Sequence, residues 1–239
     1  MIPRLLPFFF LAVIAAAHAQ VDWRIGTPVE LYQVQSMAAA PSLDGKLDDA
    51  AWRNIKQVDQ FYDYLAKTKI GSFPPLATIR TVMRIGKTAK GLWLGFDCYA
   101  EMDNVEAEIL ARDNADIWQE PCIELYVGED WRHLSFRKFT INVLGTQADL
   151  RYRRGVLDEQ WNDMGWRVAT HRHNDRWTAE LFFPWSSIGG KPAPGSLLAL
   201  GVTRFSWTTG SIVGACWGAA MSNPYIYRSG QLLIDDDLT

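Results

Sequence analysis

The chain has 239 residues, of which 48% are hydrophobic, 21% charged and 13% aromatic, and its formal net charge is −3. That apolar share excludes an intrinsically disordered chain. The balance of 24 Lys and Arg against 27 Asp and Glu leaves no basic excess for a phosphate backbone, which argues against nucleic-acid binding.

Residues 1–19 read as a cleaved signal peptide. Arg4 supplies a positive start, residues 5–17 are an apolar run, and Ala17-His18-Ala19 is an A-x-A cleavage site. The run is shorter than the roughly 20 residues of a spanning helix, and no later segment reaches that length. The expectation is a secreted or periplasmic protein without a membrane span, with residues 20–40 as a lead segment and 41–239 as one domain. Cys98, Cys122 and Cys216 are odd in number and widely spaced, with no C-x-x-C. One disulfide with a spare thiol and three buried, apolar-like cysteines are both open readings.

Next come short stretches of period-2 alternation separated by turn residues, at 78–85, 92–99, 123–127, 139–143, 166–170, 177–183, 197–205 and 231–234. In 92–99 (LWLGFDCY), Leu92, Leu94, Phe96 and Cys98 share one face, and Trp93, Gly95, Asp97 and Tyr99 the other. One apolar face per strand is what two packed sheets require. Helical signal is confined to 48–55, which opens with acidic residues suited to a helix N-terminus, and to a turn or two at 184–188. The fold class is therefore an all-β antiparallel sandwich with one or two short helices.

No G-x-S-x-G, H-E-x-x-H, Walker or Rossmann glycine pattern is present. His171 and His173, at i and i+2, would share a strand face and could chelate a metal, but their surroundings (HRHND) read as a polar hairpin. Carboxylates are scattered, so no catalytic residues are nominated. Binding signals are stronger. Eleven Trp are spread along the chain. Trp118 stands in a polar segment before the strand at 123–127, where loops on a rigid sheet carry ligands; a rim residue capping the sandwich is the alternative. Glu124 alternates with Ile123 and Leu125, so it faces away from the core, either to accept hydroxyl hydrogen bonds or simply to be solvated. Trp52 reads as an anchor for the short helix, and Trp93, Trp177 and Trp185 as packing residues. Trp131, Trp161 and Trp166 adjoin polar segments, where lining a surface and packing are both open.

Residues 41–52 (PSLDGKLDDAAW) resemble the opening of the family 9 carbohydrate-binding modules. The likeness continues in order through 91–97 (GLWLGFD), 116–126 (DIWQEPCIELY), 139–145 (FTINVLG), 177–185 (WTAELFFPW), Pro194-Gly195, 201–204 (GVTR) and 230–234 (GQLLI). The resemblance implies a β-sandwich, structural calcium, and a cleft in which two aromatic rings clamp a glycan sugar. Trp118 matches the first ring and Glu124 a polar contact position, with Asn142 and Asn223 as further candidate hydrogen-bonding residues. Asp97 and Asp113 fall in the acidic calcium region, where turn-forming Asp is the alternative. The sequence departs from the family at Thr140, where a sugar-contacting Arg is expected, and at Pro121, where an acid is common. No Trp in 222–229 matches the second ring; Tyr225 is the candidate, with Tyr227 and Trp217 behind it.

The function so implied is a monomeric, non-catalytic carbohydrate-binding protein that takes an oligo- or polysaccharide and works beside glycoside hydrolases. Two alternatives belong to other classes. A glycoside hydrolase or accessory enzyme would need two acids facing one cleft. A structural or haem-binding sandwich relative would need His or Met ligands converging on a pocket.

Overall fold

The computed structural model describes residues 30–64, 75–128, 135–208, 211–217, 221–222, 225–226 and 230–234. The larger of its two main sheets has the order β1 (Leu31–Gln33), β17 (Gly230–Ile234), β13 (Ser196–Thr208), β7 (Cys122–Gly128), β8 (Phe136–Asn142), β9 (Gln147–Arg153) and β10 (Val156–Leu157). Beside it, β14 (Ser211–Trp217) pairs with β13 and with β4 (Tyr62–Asp63). The smaller sheet runs β11 (Arg167–Arg172), β12 (Arg176–Pro184), β6 (Gly91–Tyr99), β5 (Thr81–Thr88) and β2 (Gln35–Ser36), with β3 (Gln57–Val58) also on β5. A separate hairpin joins β15 (Met221–Ser222) to β16 (Tyr225–Ile226).

The all-β sandwich is as the alternation predicts, with two refinements. The sheets are mixed rather than purely antiparallel, because β1 pairs with β17 and β2 with β5 in parallel. These two strands lie in the segment read as a lead. Between them, buried Val34 bonds to the Leu233 carbonyl (3.0 Å), so the chain stitches one sheet to the other within a few residues. The helix expected over 48–55 is a single 3-10 turn, Ala50–Trp52, and the one after β12 is another, Trp185–Ile188.

The core lies between the sheets. Ile123, Leu125 and Val127 of β7 and Phe139 and Ile141 of β8 join Leu92, Leu94, Phe96 and Cys98 of β6 and Leu181 and Phe183 of β12. Trp166 is core rather than surface, its ring stacked on Phe183 at 5.4 Å and 6°. From β13, fully buried Arg204 crosses the layer to the carbonyls of Arg80 (2.8 Å) and Tyr99 (2.7 Å), tying the sheets together at one end.

A second, smaller cluster covers the outside of the smaller sheet: Met37, Trp52, Ile55, Trp93 and Phe182. This accounts for Trp93 on the face opposite Leu92. Gly95 makes room for it, since a Cβ there would lie 2.5 Å from Leu47 Cδ2. The loop before Trp52 is fixed by Glu180, fully buried on β12. One of its carboxylate oxygens accepts the backbone N–H of Asp44 (3.0 Å) and Gly45 (2.9 Å), and the other accepts Trp52 Nε1 (2.8 Å). Desolvation pushes its pKa up, against the lowering effect of these bonds. Gly45 has φ +82° and sits so close that a Cβ would be 2.6 Å from the Thr170 carbonyl carbon, so the turn requires glycine. The D-G-x-L-x-x-x-x-W stretch is thus a cap on the sheet, sealed by a buried acid.

All three cysteines are buried and none is in a disulfide, which resolves the two readings in favour of buried thiols. Burial pushes the Cys98 thiol up to about 12 and the Cys122 thiol well above its ordinary value. Native protein at pH 8 is therefore expected to resist iodoacetamide for hours, and denatured protein to take up three equivalents. Mass spectrometry before and after guanidinium reads the difference; rapid labelling of the native protein would contradict the burial.

Candidate functional site

Because β7, β8 and β9 alternate, the residues that do not enter the core line up on the outside of the larger sheet. The registers Glu124↔Thr140↔Ala148 and Tyr126↔Lys138↔Leu150 place six side chains in two rows across three strands. A cleft of about 370 Å³ lies over these rows, with Glu124, Lys138, Thr140, Ala148 and Leu150 among its lining residues. Trp118 borders it from the 3-10 turn Ile117–Gln119, and Trp161 and Leu157 border it as well. Trp118 is 47% exposed, unusual for the largest apolar side chain, and Trp161 is half-buried, its ring edge-on to Phe139 at 6.0 Å.

The polar part of the cleft is built around Glu124. It is buried, yet Lys138 Nζ lies 2.6 Å from one carboxylate oxygen and Tyr126 donates its hydroxyl to the other at 2.5 Å. Desolvation, reinforced by the Glu124 charge, holds the Tyr126 phenol well above its usual range, so it stays a donor. A carboxylate has about four acceptor sites and an ammonium three donors. After pairing with each other, Glu124 and Lys138 retain capacity for hydroxyl groups, and Thr140 adds a donor and acceptor beside them.

The wall that carries Trp118 is anchored from below. Glu120 accepts the backbone N–H of Glu108 (2.6 Å) and Ile109 (2.9 Å) and the Asn142 amide (2.7 Å). Asn142, predicted as a ligand contact, is fully buried, and its amide is engaged on every side. It donates to the Ile109 carbonyl (2.8 Å) and to Glu120, and its oxygen accepts Leu144 and Thr146 N–H. It is a positioning residue for the Trp118 wall, and no polar atom is left for a ligand.

The structure brings Trp118 and Glu124 together. Tyr225 is on the separate hairpin β15–β16, and Asn223, Tyr227 and Trp131 lie outside the described residues. Trp217 is buried in the core. The sequence reading missed Lys138 and Tyr126, although both follow from the alternation that exposed Glu124. The partnership of Trp161 with Trp118 carries no such signal, since the two are 43 positions apart (161 − 118) and meet only through β8–β10.

The candidate calcium residues do not fit that ion. Asp97 is buried against two guanidinium groups, Arg84 at 2.6 Å and Arg176 at 2.9 Å. Asp113 accepts the backbone N–H of Asp149 (3.1 Å) and the Asn162 amide (2.7 Å), with Arg112 3.4 Å away. Calcium needs six to eight oxygens, whereas these carboxylates are surrounded by N–H donors. Among the described residues no group of three His, Cys, Asp or Glu side chains could hold a metal. His171 at the end of β11 and His173 in the turn that follows meet edge-on, ring centroids 4.7 Å apart at 73°, and His173 shares a hydrogen bond with Thr178 (3.0 Å).

The fold is that of the family 9 carbohydrate-binding modules. The chain is similar to such a module from Caldicellulosiruptor kristjanssonii in complex with cellotriose, at TM-score 0.63 and 13% identity, covering 87% of this chain and 95% of that one. It is equally similar to a module of that family from the same organism in complex with glucose, at TM-score 0.62 and 13% identity, with 88% and 98% covered. No protein-family model and no curated protein matches the sequence.

Proposed function

We propose that this is a non-catalytic carbohydrate-binding protein that holds a neutral sugar ring of an oligo- or polysaccharide in the cleft beside Trp118. The observation that carries this is the half-exposed indole set against a buried, paired Glu124–Lys138 floor. A pyranose has an apolar C–H face and a belt of hydroxyls. The indole matches the first, and its π-density attracts polarised C–H groups; Glu124, Lys138 and Thr140 match the second. Trp161 and Leu157 extend the apolar border of the cleft.

Covering on the order of 100 Å² of sugar on Trp118 contributes roughly 2.5 kcal/mol. Adding a second apolar wall and subtracting ordering costs gives a Kd between about 10 μM and 1 mM. The biological setting that fits the leader-like residues 1–19 is export, with the protein presenting glycan chains to glycoside hydrolases of the same system. Isothermal titration against a panel of soluble gluco-, xylo-, manno- and galacto-oligosaccharides tests the proposal. At least one should bind within the stated range; no heat and no competition from any of them would overturn it.

A further inference from the structure

We infer that Trp207 forms a second sugar-stacking platform, reached from the Trp118 cleft across a single residue, and that the ligand is therefore an oligosaccharide with at least two rings in contact. This rests on the carbohydrate reading of the Trp118 cleft and extends it to the neighbouring strand.

Trp207 lies near the end of β13. The register Phe205↔Cys122 and the alternation with buried Ser206 put it on the same outer face as Glu124. It is 36% exposed, the second Trp after Trp118 to keep a large open surface among the described residues. Its ring is not loose: Nε1 donates to the carbonyl of Gln119 at 2.7 Å. Gln119 is the residue after Trp118 in the same 3-10 turn. That turn therefore has one indole on the side of β8 and β9, over the cleft, and another on the side of β13.

The hydrogen bond fixes the ring by its polar edge, while 36% of the residue's surface stays open to solvent. Such pre-set aromatic area costs little ordering on binding. The strand beneath is shaped to carry it. Phe205 packs edge-on against Tyr64, with centroids 5.1 Å apart. Gly214, opposite Phe205 on β14, gives them space, since a Cβ there would lie 2.9 Å from Tyr64 Cβ. Phe205 and Trp207 thus leave β13 on the same outer face, two residues apart, with Trp207 bonded to the turn that carries Trp118. A core role would not require an open indole there, and a bare hydrogen-bond donor to Gln119 would not require an indole. A glycan chain uses both properties, since each successive pyranose repeats the same apolar face.

Titration of glucose, cellobiose and cellotriose (or the corresponding series of whichever sugar the wild type prefers) against wild type, Trp207→Ala and Trp207→Phe tests this. Wild-type affinity should rise about tenfold from the monosaccharide to the longer chains. Trp207→Ala should abolish that gain while leaving monosaccharide affinity within about twofold, and Trp207→Phe should restore part of it. Unchanged melting temperatures would show that folding is intact. A chain-length gain that survives in Trp207→Ala would overturn the platform and leave the Trp118 reading standing. An equal loss for all lengths would overturn it too, by placing Trp207 at the first ring. Absence of wild-type binding to every sugar would sink both.

Discussion

Trp118→Ala is expected to weaken binding of the preferred glycan roughly 60-fold, about 2.5 kcal/mol, because it removes the face on which the sugar ring stacks. The same change should leave stability within about 0.5 kcal/mol of wild type, since the indole is half open to solvent and its wall is held by Glu120 and Asn142 rather than by the ring. This separation of binding from folding is the signature of a ligand residue. A loss of affinity smaller than about threefold in titration would mean that the sugar sits elsewhere. A large fall in melting temperature would mean that Trp118 is a packing residue after all.

Glu180→Ala is expected to have the largest effect on stability. The carboxylate accepts three hydrogen bonds, from Asp44 N, Gly45 N and Trp52 Nε1, and is fully buried. Removing it strands these donors, at about 1–3 kcal/mol each when they cannot reach water. The cap on the smaller sheet can relax in part, so a net loss of about 3–5 kcal/mol is expected, equivalent to a fall of roughly 10 °C or more in Tm for a domain of this size. Glu180→Gln should cost less, about 1–2 kcal/mol. Its amide oxygen can still take the two backbone donors, but its NH2 would confront the Trp52 N–H. Urea unfolding monitored by circular dichroism measures both. A Glu180→Ala variant within 1 kcal/mol of wild type would refute the role assigned to the cap. Sugar affinity of the folded fraction should be unchanged, because the cap and the cleft lie on different sheets.

The strands with one clean apolar face could be read directly from alternation. Leu92, Leu94, Phe96 and Cys98 of β6, and Ile123, Leu125 and Val127 of β7, each mark a strand and its inward side. Two strands escaped for opposite reasons. In β9 (QADLRYR) polarity alternates at every step, but the apolar Ala148 and Leu150 lie on the cleft side beside Thr140 and Lys138 and the strand's buried residue is Arg151, so its apolar face does not mark the inward side. In β14 (SIVGACW) Gly214 and Ala215 replace the larger residues that periodicity relies on, because Tyr64 and Phe205 already fill that space. The short strands β1 and β2 have two or three residues each and are defined only by their partners on β17 and β5.

The site shows the same division. Trp118 and Glu124 were accessible because each breaks a local rule, an indole in a polar turn and an acid within an apolar strand. Asn142 looked equally available, being polar on a strand that faces the cleft. Its two backbone acceptor bonds to Leu144 and Thr146 come from the tight turn that follows it, and the Glu120 and Ile109 contacts come from a loop more than 20 residues away. Only the fold could show that its amide is used up. Asp97 within strand β6 and Asp113 in a turn suggested a cation by their acidity, and the cations that reach them are Arg84, Arg176 and Arg112.

The central claim is that a sugar ring lies on Trp118 above the Glu124–Lys138 pair. A crystal structure of the protein with its preferred oligosaccharide tests this most directly. The expected density is a pyranose packed against the Trp118 face, with hydroxyl oxygens within about 3.2 Å of Glu124 or Lys138. A sugar bound on any other surface, with the Trp118 cleft open, would contradict it.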